Sequence, residues 1–307
     1  MVFVYYTHFY ANCKQRMFTM KKNKTMFRVI LTIAIVLIVC GLGYICWYLF
    51  NIYTSGHEYE NLQQPTNSPT EKATESTAAT GDTPDAPPDN VAPKEVHDTV
   101  NGSINFTKLW EINTDLYAWI KIPNTAIDYP VAQYPGDDDS YYLNHNMYKE
   151  SAFAGCIYTE KLNKKDFSDP NTVLYGHNMQ NGTMFRALHS FRDKDFFDAN
   201  KYIYIYLPDR TLTYEIFSAY EYDDRHLLYS FDFSDKKVFQ EYLDYAQNPT
   251  SSMMYNTRSL NVTADDKIIT LSTCLGDIET SRYLVQGVLI KDEPIQSATE
   301  SGTNHAE

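Results

Sequence analysis

The chain has 307 residues, 43% of them hydrophobic and 15% aromatic, enough for one sizeable domain with appendages. Its net charge of −13 is unevenly spread: Lys14, Arg16, Lys21, Lys22, Lys24 and Arg28 precede the first acid, Glu58, and the remaining 20 bases face all 39 acids, a net of −19. An acidic body argues against nucleic acid, which requires basic patches, and fits a cationic partner or plain solubility.

In chain order, the basic N-terminus leads into VILTIAIVLIVCGLGYICWYLF, residues 29–50, which carries no charge. At about 1.5 Å per residue such a helix spans roughly 33 Å, enough to cross a bilayer core. Trp47 and Tyr48 suit an interfacial belt, and the preceding bases predict a cytoplasmic N-terminus, residues 1–28, with the rest of the chain outside. The apolar run is too long for a cleaved signal peptide and no A-x-A-like site follows. Met20 opens MKKNKTMFRVI, a more ordinary start for such an anchor than Met1, and is taken as the true start. Residues 51–100 are rich in Thr, Pro, Ala and acids and have almost no large apolar side chain; they read as a flexible stalk. The polar tail, 292–307, reads as loose, leaving 101–291 as the folded domain.

Within that domain Phe106, Leu109 and Trp110 mark a short amphipathic helix. Strands are predicted at 118–122, 125–131, 153–159, 171–176, 202–207, 211–222, 267–273 and 283–290, from β-branched and aromatic runs between turn residues. Pro208 and Asp209 form the turn of a hairpin. Two helices interrupt the strands: one on Met184, Phe185, Leu188 and Phe191, the other on Val238, Tyr242, Tyr245 and Ala246 with Ser234 as N-cap. Eight strands with few helices predict a mainly β fold closed into a barrel, since closure removes exposed edges. The second helix lies in a long connection, residues 223–266, and long ordered connections are often functional.

The chemistry centres on KIITLSTCLGDIETSRYLVQGVLI, residues 267–290. A free cysteine is most often a small buried hydrophobe. Cys274, however, ends a strand, stands outside the membrane where a spare thiol is a liability, and has Gly276 just after it. A nucleophilic cysteine needs a partner that favours thiolate. Of eight histidines, His177 in TVLYGHNM is placed as Cys274 is, at the end of an apolar strand. His189 reads as surface or core; His145 and His226 read as solvated loop residues. Arg282 is an ion-pair residue in the plain reading and an oxyanion donor in the functional one. Ser272 and Thr273 either hydrogen-bond within the site or merely pack in the strand. DDDS at 137–140 has no calcium-loop spacing, and no metal or cofactor motif is present. Of the five cysteines Cys13 precedes the anchor, Cys40 and Cys46 lie within it, and only Cys156 and Cys274 follow it; one bridge between them is conceivable, but this is no disulfide framework.

TLSTC at 270–274, the arginine after it, and the histidine of YGHN about a hundred residues earlier resemble the sortases. NFTKLWEINTDLYAWIKIPNTAIDYPV, YYLNHNM, LYGHNMQNGTMFRAL and the helix-bearing insertion before the cysteine strand look like class B. The resemblance covers about residues 103–291. It implies an eight-stranded barrel with an N-terminal helix and a membrane anchor. It implies Cys274 as nucleophile, His177 as general acid and base, and Arg282 as oxyanion stabiliser and substrate clamp. The implied reaction cleaves the C-terminal sorting signal of a surface protein, of LPxTG, NPxTN or SPxTG type, through a thioester. The protein is then passed to an amine of a peptidoglycan precursor of the lipid II type, with no cofactor. Cys156, where a small or hydroxyl residue is more usual, is expected to be buried and inert. Two rivals stand beside this reading: a caspase-like His/Cys peptidase, disfavoured by the hairpin-like strands and Arg282, and a non-enzymatic wall-binding β-domain in which Cys274 is structural.

Overall fold

The computed structural model describes residues 24–60, 104–249, 255–276 and 278–295. The chain divides into two units, Met1–Ile52 and Tyr53–Glu307. Helix α1, Lys24–Glu60, carries the apolar run. Its stretch Met26–Phe50 is exposed on every side and is long and apolar enough to cross a membrane. The helix continues ten residues past position 50, so the start of the expected stalk is helical. Residues 61–103, the choice between Met1 and Met20, and the tail from 296 lie outside the described residues.

Within the second unit α2, Phe106–Ile112, is capped by Asn105, whose side-chain oxygen accepts from Lys108 N at 3.1 Å. Phe106 and Leu109 are buried, and half-exposed Trp110 donates Nε1 to Leu116 O at 2.9 Å. The strands follow: β1 Leu116–Lys121, β2 Asp128–Ala132, β3 Ile157–Tyr158, β4 Asn171–Tyr175, β5 Tyr202–Tyr206, β6 Arg210–Asp223, β7 Tyr255–Thr257, β8 Ile268–Leu275 and β9 Ile278–Pro294. Hydrogen bonding links them in the order β5-β1-β2-β3-β4-β8-β9-β6, and β5 pairs back with β6. Eight strands thus close a barrel, with β7 added at the rim beside β6. The β5–β6 hairpin turns at Pro208–Asp209, closed by Leu207 N to Arg210 O at 2.9 Å.

The apolar runs of β4, β8 and β9 are nearly continuous because both of their faces are covered. Leu174, Leu271 and Val285 point into the barrel core. Val173, Ile268, Leu284 and Val288 point outward to a second core with Phe217, Tyr220 and Tyr222 of β6. Helix α5, Lys236–Gln247, closes that second core, after the short helices α3, Lys194–Ala199, and α4, Leu227–Ser230. It buries Phe239, Tyr242, Leu243 and Ala246. A polar thread ties it to the sheet: Gln286 Nε2 donates to Tyr242 OH at 2.7 Å and to Thr270 Oγ1 at 2.8 Å.

Several details depart from the sequence expectation. The strand expected at 153–159 shrinks to Ile157–Tyr158, because Cys156 N bonds Tyr142 O instead of a strand neighbour. The helix on Met184–Phe191 is a 3-10 helix, Phe185–Arg192, although Met184, Phe185, Leu188 and Phe191 are all buried as expected. The cap of α5 is Asp235, accepting from Lys237 N at 2.8 Å, because the Ser234 hydroxyl is turned back to Asp232. Val238 and Tyr245 are only half-buried; the helix is rotated towards Phe239 and Leu243. β7, three residues long, had no sequence signal, and β9 runs through Pro294, past the expected start of the tail.

Candidate active site

Three strand ends build the site. β4 and β8 run parallel with Tyr175 opposite Ser272, and Gly176 N donates to Ser272 O at 3.2 Å. Two residues beyond each of these, His177 comes level with Cys274. On the far side of β8, Cys274 stands opposite Arg282 of β9, which in turn stands opposite Tyr222 of β6. One row therefore crosses three strands, Cys274, Arg282 and Tyr222, and His177, two residues past the end of β4, extends it. In-register neighbours share a face with Cβ atoms about 5 Å apart. The face is the outer one, since stepping back by two along the strands reaches Tyr175, Ser272, Leu284 and Tyr220, and Leu284 and Tyr220 belong to the outer core.

Cys274 is half-buried with a free thiol. Gly276 just after it takes φ +58°, the left-handed turn by which β8 leaves the sheet before β9 returns. Cys156 is also free, so the two do not form a bridge; it is buried, with Sγ 3.7 Å from Pro130 O.

His177 is held by the glycine before it and the loop in front of it. A Cβ at Gly176 would lie 2.5 Å from Ile157 Cδ1 and 2.8 Å from Phe185, so only glycine lets the chain pass there. The Nε2 of His177 donates to Leu143 O at 2.9 Å, which leaves Nδ1 as the proton acceptor of the neutral ring. Phe153 stacks beside the ring, centroids 5.9 Å apart. Burial lowers the His177 pKa below the ordinary histidine value, partly offset by the bond to Leu143.

Arg282 is half-buried and donates Nη1 to Ser281 O at 3.1 Å. The Tyr158 hydroxyl faces the same space: burial chiefly raises its pKa, Glu160, Asp138 and Cys274 add to this, and Arg282 opposes. Ser272 is buried on the Cys274 face, whereas Thr273 is buried on the barrel side, opposite Tyr283. Beyond Arg282 a cavity of about 410 Å³ lies between the end of β6 and α5, lined by Tyr222, Asp223, Arg225, Phe231, Glu241 and Tyr242. The expected long connection, 223–266, supplies most of its wall.

Sequence reasoning missed several residues here. His189 is half-buried, and its Nε2 lies 3.1 Å from Cys274 O. Asn178 Nδ2 donates to the same oxygen at 3.1 Å. His226 is not simply solvated: its Nε2 is 2.8 Å from Glu160 Oε1, joining the 223–266 connection to the second residue after β3. His145 stacks on Tyr141 with centroids 3.8 Å apart, its Nδ1 bonded to Tyr141 O. None of these contacts leaves a periodic trace; they join positions 4 to 85 or 96 apart in the chain.

Residues 120–290 match the sortase domain family. The chain belongs to the sortase family, class B. It is 36% identical to sortase B of Listeria monocytogenes over 195 residues, 62% of this chain and 77% of that protein. It is 31% identical to sortase B of Staphylococcus aureus over 188 residues, 61% of this chain and 75% of that protein. Among solved structures, Clostridium perfringens sortase B is 36% identical, with a TM-score of 0.54, covering 61% of this chain and all of that one. A Staphylococcus aureus sortase B–substrate complex is 31% identical, also with a TM-score of 0.54, covering 61% of this chain and 84% of that one. The sortase barrel thus carries a cysteine, a histidine and an arginine at the same rim: Cys274 on β8, Arg282 on β9 and His177 just past the end of β4.

Proposed function

We propose that this sortase is a membrane-anchored transpeptidase that attacks the C-terminal sorting signal of surface proteins with Cys274 and passes them to an amine of a peptidoglycan precursor. The observation that carries the reading is the row His177, Cys274, Arg282, with the thiol between a base and a fixed cation. His177, with its Nε2 proton committed to Leu143, takes the thiol proton at Nδ1. The thiolate attacks the scissile carbonyl carbon, and Arg282 donates hydrogen bonds to the oxyanion that forms. Collapse expels the amine of the signal's C-terminal part, which takes the proton back from His177 and leaves a thioester on Cys274. The incoming amine then attacks the thioester, gives up a proton to His177, and the thiolate leaves. Ser272 lines the floor beside Cys274; Thr273, buried on the other face, supports the strand. The cavity walled by the 223–266 connection takes part of the signal.

In this reading residues 29–50 anchor the enzyme, 1–28 stay in the cytoplasm, and 51–100 tether the domain 101–291 on the outer face, where both substrates arrive. No cofactor takes part. The test is intact mass of the full-length protein in detergent micelles after incubation with LPxTG, NPxTN and SPxTG peptides. Wild type cleaves one of them and gains an acyl adduct; Cys274→Ala does not. If no peptide is cleaved and folded Cys274 also resists thiol reagents, the transpeptidase reading fails.

A further inference from the structure

The β4–β8 ladder ends in an unusual way. Gly176 N makes the last main-chain bond to β8, at Ser272 O. The next acceptor in line, Cys274 O, is met by side chains instead: Asn178 Nδ2 and His189 Nε2, each at 3.1 Å. Just past this point the β8–β9 register shifts, between Cys274 and Leu275, and the chain turns at Gly276. Without the two donors the nucleophile's own peptide would stand at a fraying strand end.

Both donors are themselves oriented. Arg186 Nη1 donates to Asn178 Oδ1 at 3.0 Å, so the amide must present its Nδ2 to Cys274. His189 stacks on Tyr283, centroids 5.1 Å apart. Burial first, then the nearby Arg192, pushes the His189 pKa down to about 4, so the ring is neutral at ordinary pH and a carbonyl partner fixes its proton on Nε2. The segment 177–189 that carries both donors also carries His177. It is a closed loop: Phe185 N donates to His177 O at 2.9 Å, Asn178 bridges to Met184, and Met184 takes φ +57°, a conformation rare for a side chain of its size.

We propose that Asn178 and His189 are positioning residues that clamp the main-chain carbonyl of Cys274 to the segment bearing His177, and so set the separation of thiol and imidazole. Neither touches substrate; they act through Cys274. The proposal rests on the reading of Cys274 and His177 as the reacting pair. A misplacement of about 1 Å at a reacting group costs up to about a hundredfold in rate, so two hydrogen bonds holding the nucleophile's peptide carry catalytic weight out of proportion to their strength.

The experiment uses the full-length protein in detergent micelles, with His189→Phe, which keeps a ring to stack on Tyr283 but has no donor, His189→Gln, which restores an N–H, and Asn178→Ala. Two readouts are taken: kcat and KM for the cleaved sorting peptide, and the rate at which iodoacetamide alkylates Cys274, followed on its own peptide by mass. His189→Phe and Asn178→Ala lower kcat about tenfold or more with KM nearly unchanged, and both slow alkylation at neutral pH, while His189→Gln recovers most of the loss. A His189→Phe enzyme with wild-type kcat and alkylation rate overturns the clamp, as does a Gln variant no better than Phe, which reduces His189 to a packing residue. If His189→Phe fails to fold, Asn178→Ala, which leaves the His189–Tyr283 stack in place, decides by the same readouts. If wild type cleaves no peptide and its Cys274 also resists alkylation, the transpeptidase reading falls; if it cleaves none but is alkylated, the alkylation rates still uphold or overturn the clamp.

Discussion

The outer face of β4, β8, β9 and β6 does two different things along its length. Towards one end, Val173, Ile268, Leu284, Val288, Phe217 and Tyr220 meet Phe239, Tyr242 and Leu243 of α5, and the face is core. Towards the other, the same alternation of side chains delivers His177, Cys274 and Arg282 to a rim that α5 does not cover. Along β8 and β9 the alternation runs unbroken from the packed end to Cys274 and Arg282, while β6 is bulged between Ile216 and Ser218; what changes towards the rim is the cover. A sheet buried on both faces is stiff, and that stiffness is what lets three residues from three strands hold a fixed spacing at its uncovered end. The active end is precise because the covered end is packed.

Substitutions at the two ends should therefore fail in different ways. Cys274→Ala removes the nucleophile and lowers turnover by about 10⁴-fold or more, with little change in thermal midpoint because the thiol is half-buried and outside both cores. Phe239→Ala does the reverse: an emptied aromatic site in the outer core costs about 3–5 kcal/mol, while the molecules that remain folded acylate at nearly the wild-type rate per active site. Titrating Cys274 with a thiol reagent alongside a melting curve separates the two. Loss of per-site activity in Phe239→Ala, beyond its loss of folded protein, would break the comparison.

Arg282 sharpens it next. It lies between Cys274 and Tyr222, at the boundary of the two regions. Arg282→Ala is expected to lower kcat about 100- to 1,000-fold, the range for loss of an oxyanion donor. Arg282→Lys keeps the charge but not the planar fork and recovers only part of it. Full recovery with lysine would mean that Arg282 supplies charge alone. Steady-state kinetics on the cleaved peptide reads both.

How much of this was legible beforehand differs by region for a physical reason. The strands and the barrel were readable because they rest on local pattern, β-branched and aromatic runs between turn residues; Cys274, His177 and Arg282 were singled out by strand ends, a turn glycine and the family resemblance, and the sheet register sets Cys274 opposite Arg282. The α5 cap was misplaced by one residue, since Ser234 and Asp235 are equally good caps in isolation and only the turn of Ser234 towards Asp232 decides between them. The roles of His189 and His226 were not readable, since each acquires its partner, Cys274 O or Glu160, from a distant part of the chain. Polar residues in loops carry no period, so their partners become visible only when the sheet register is known.

A smaller effect concerns the pH profile. Burial disfavours the imidazolium of His177, so the limb of the rate profile that reports this group lies below the ordinary histidine value of about 6.5. Part of that burial comes from Phe153, an exposed ring stacked beside the imidazole. Phe153→Ser admits water, and the limb moves up towards the ordinary value with the maximal rate little changed. A limb that stays in place would assign the desolvation to the barrel wall instead, to Ile157 and Phe185 around Gly176.

The smallest effect is on stability in acid. His189 is neutral in the folded protein down to about pH 4, whereas in the unfolded chain it titrates near 6.5. Between those values the unfolded state binds the extra proton, so stability falls as pH drops through this window and levels off below it. In His189→Gln the contribution is absent, and the gap in thermal midpoint between variant and wild type shifts in the variant's favour from pH 7 to pH 4. The opposite sign would mean that the imidazolium, not the neutral ring, is the form the fold prefers, and that His189 reaches Cys274 O as a cation. The same measurement on His177→Gln, whose folded pKa is also lowered by burial, should shift the same way, because burial disfavours the charged form of both rings.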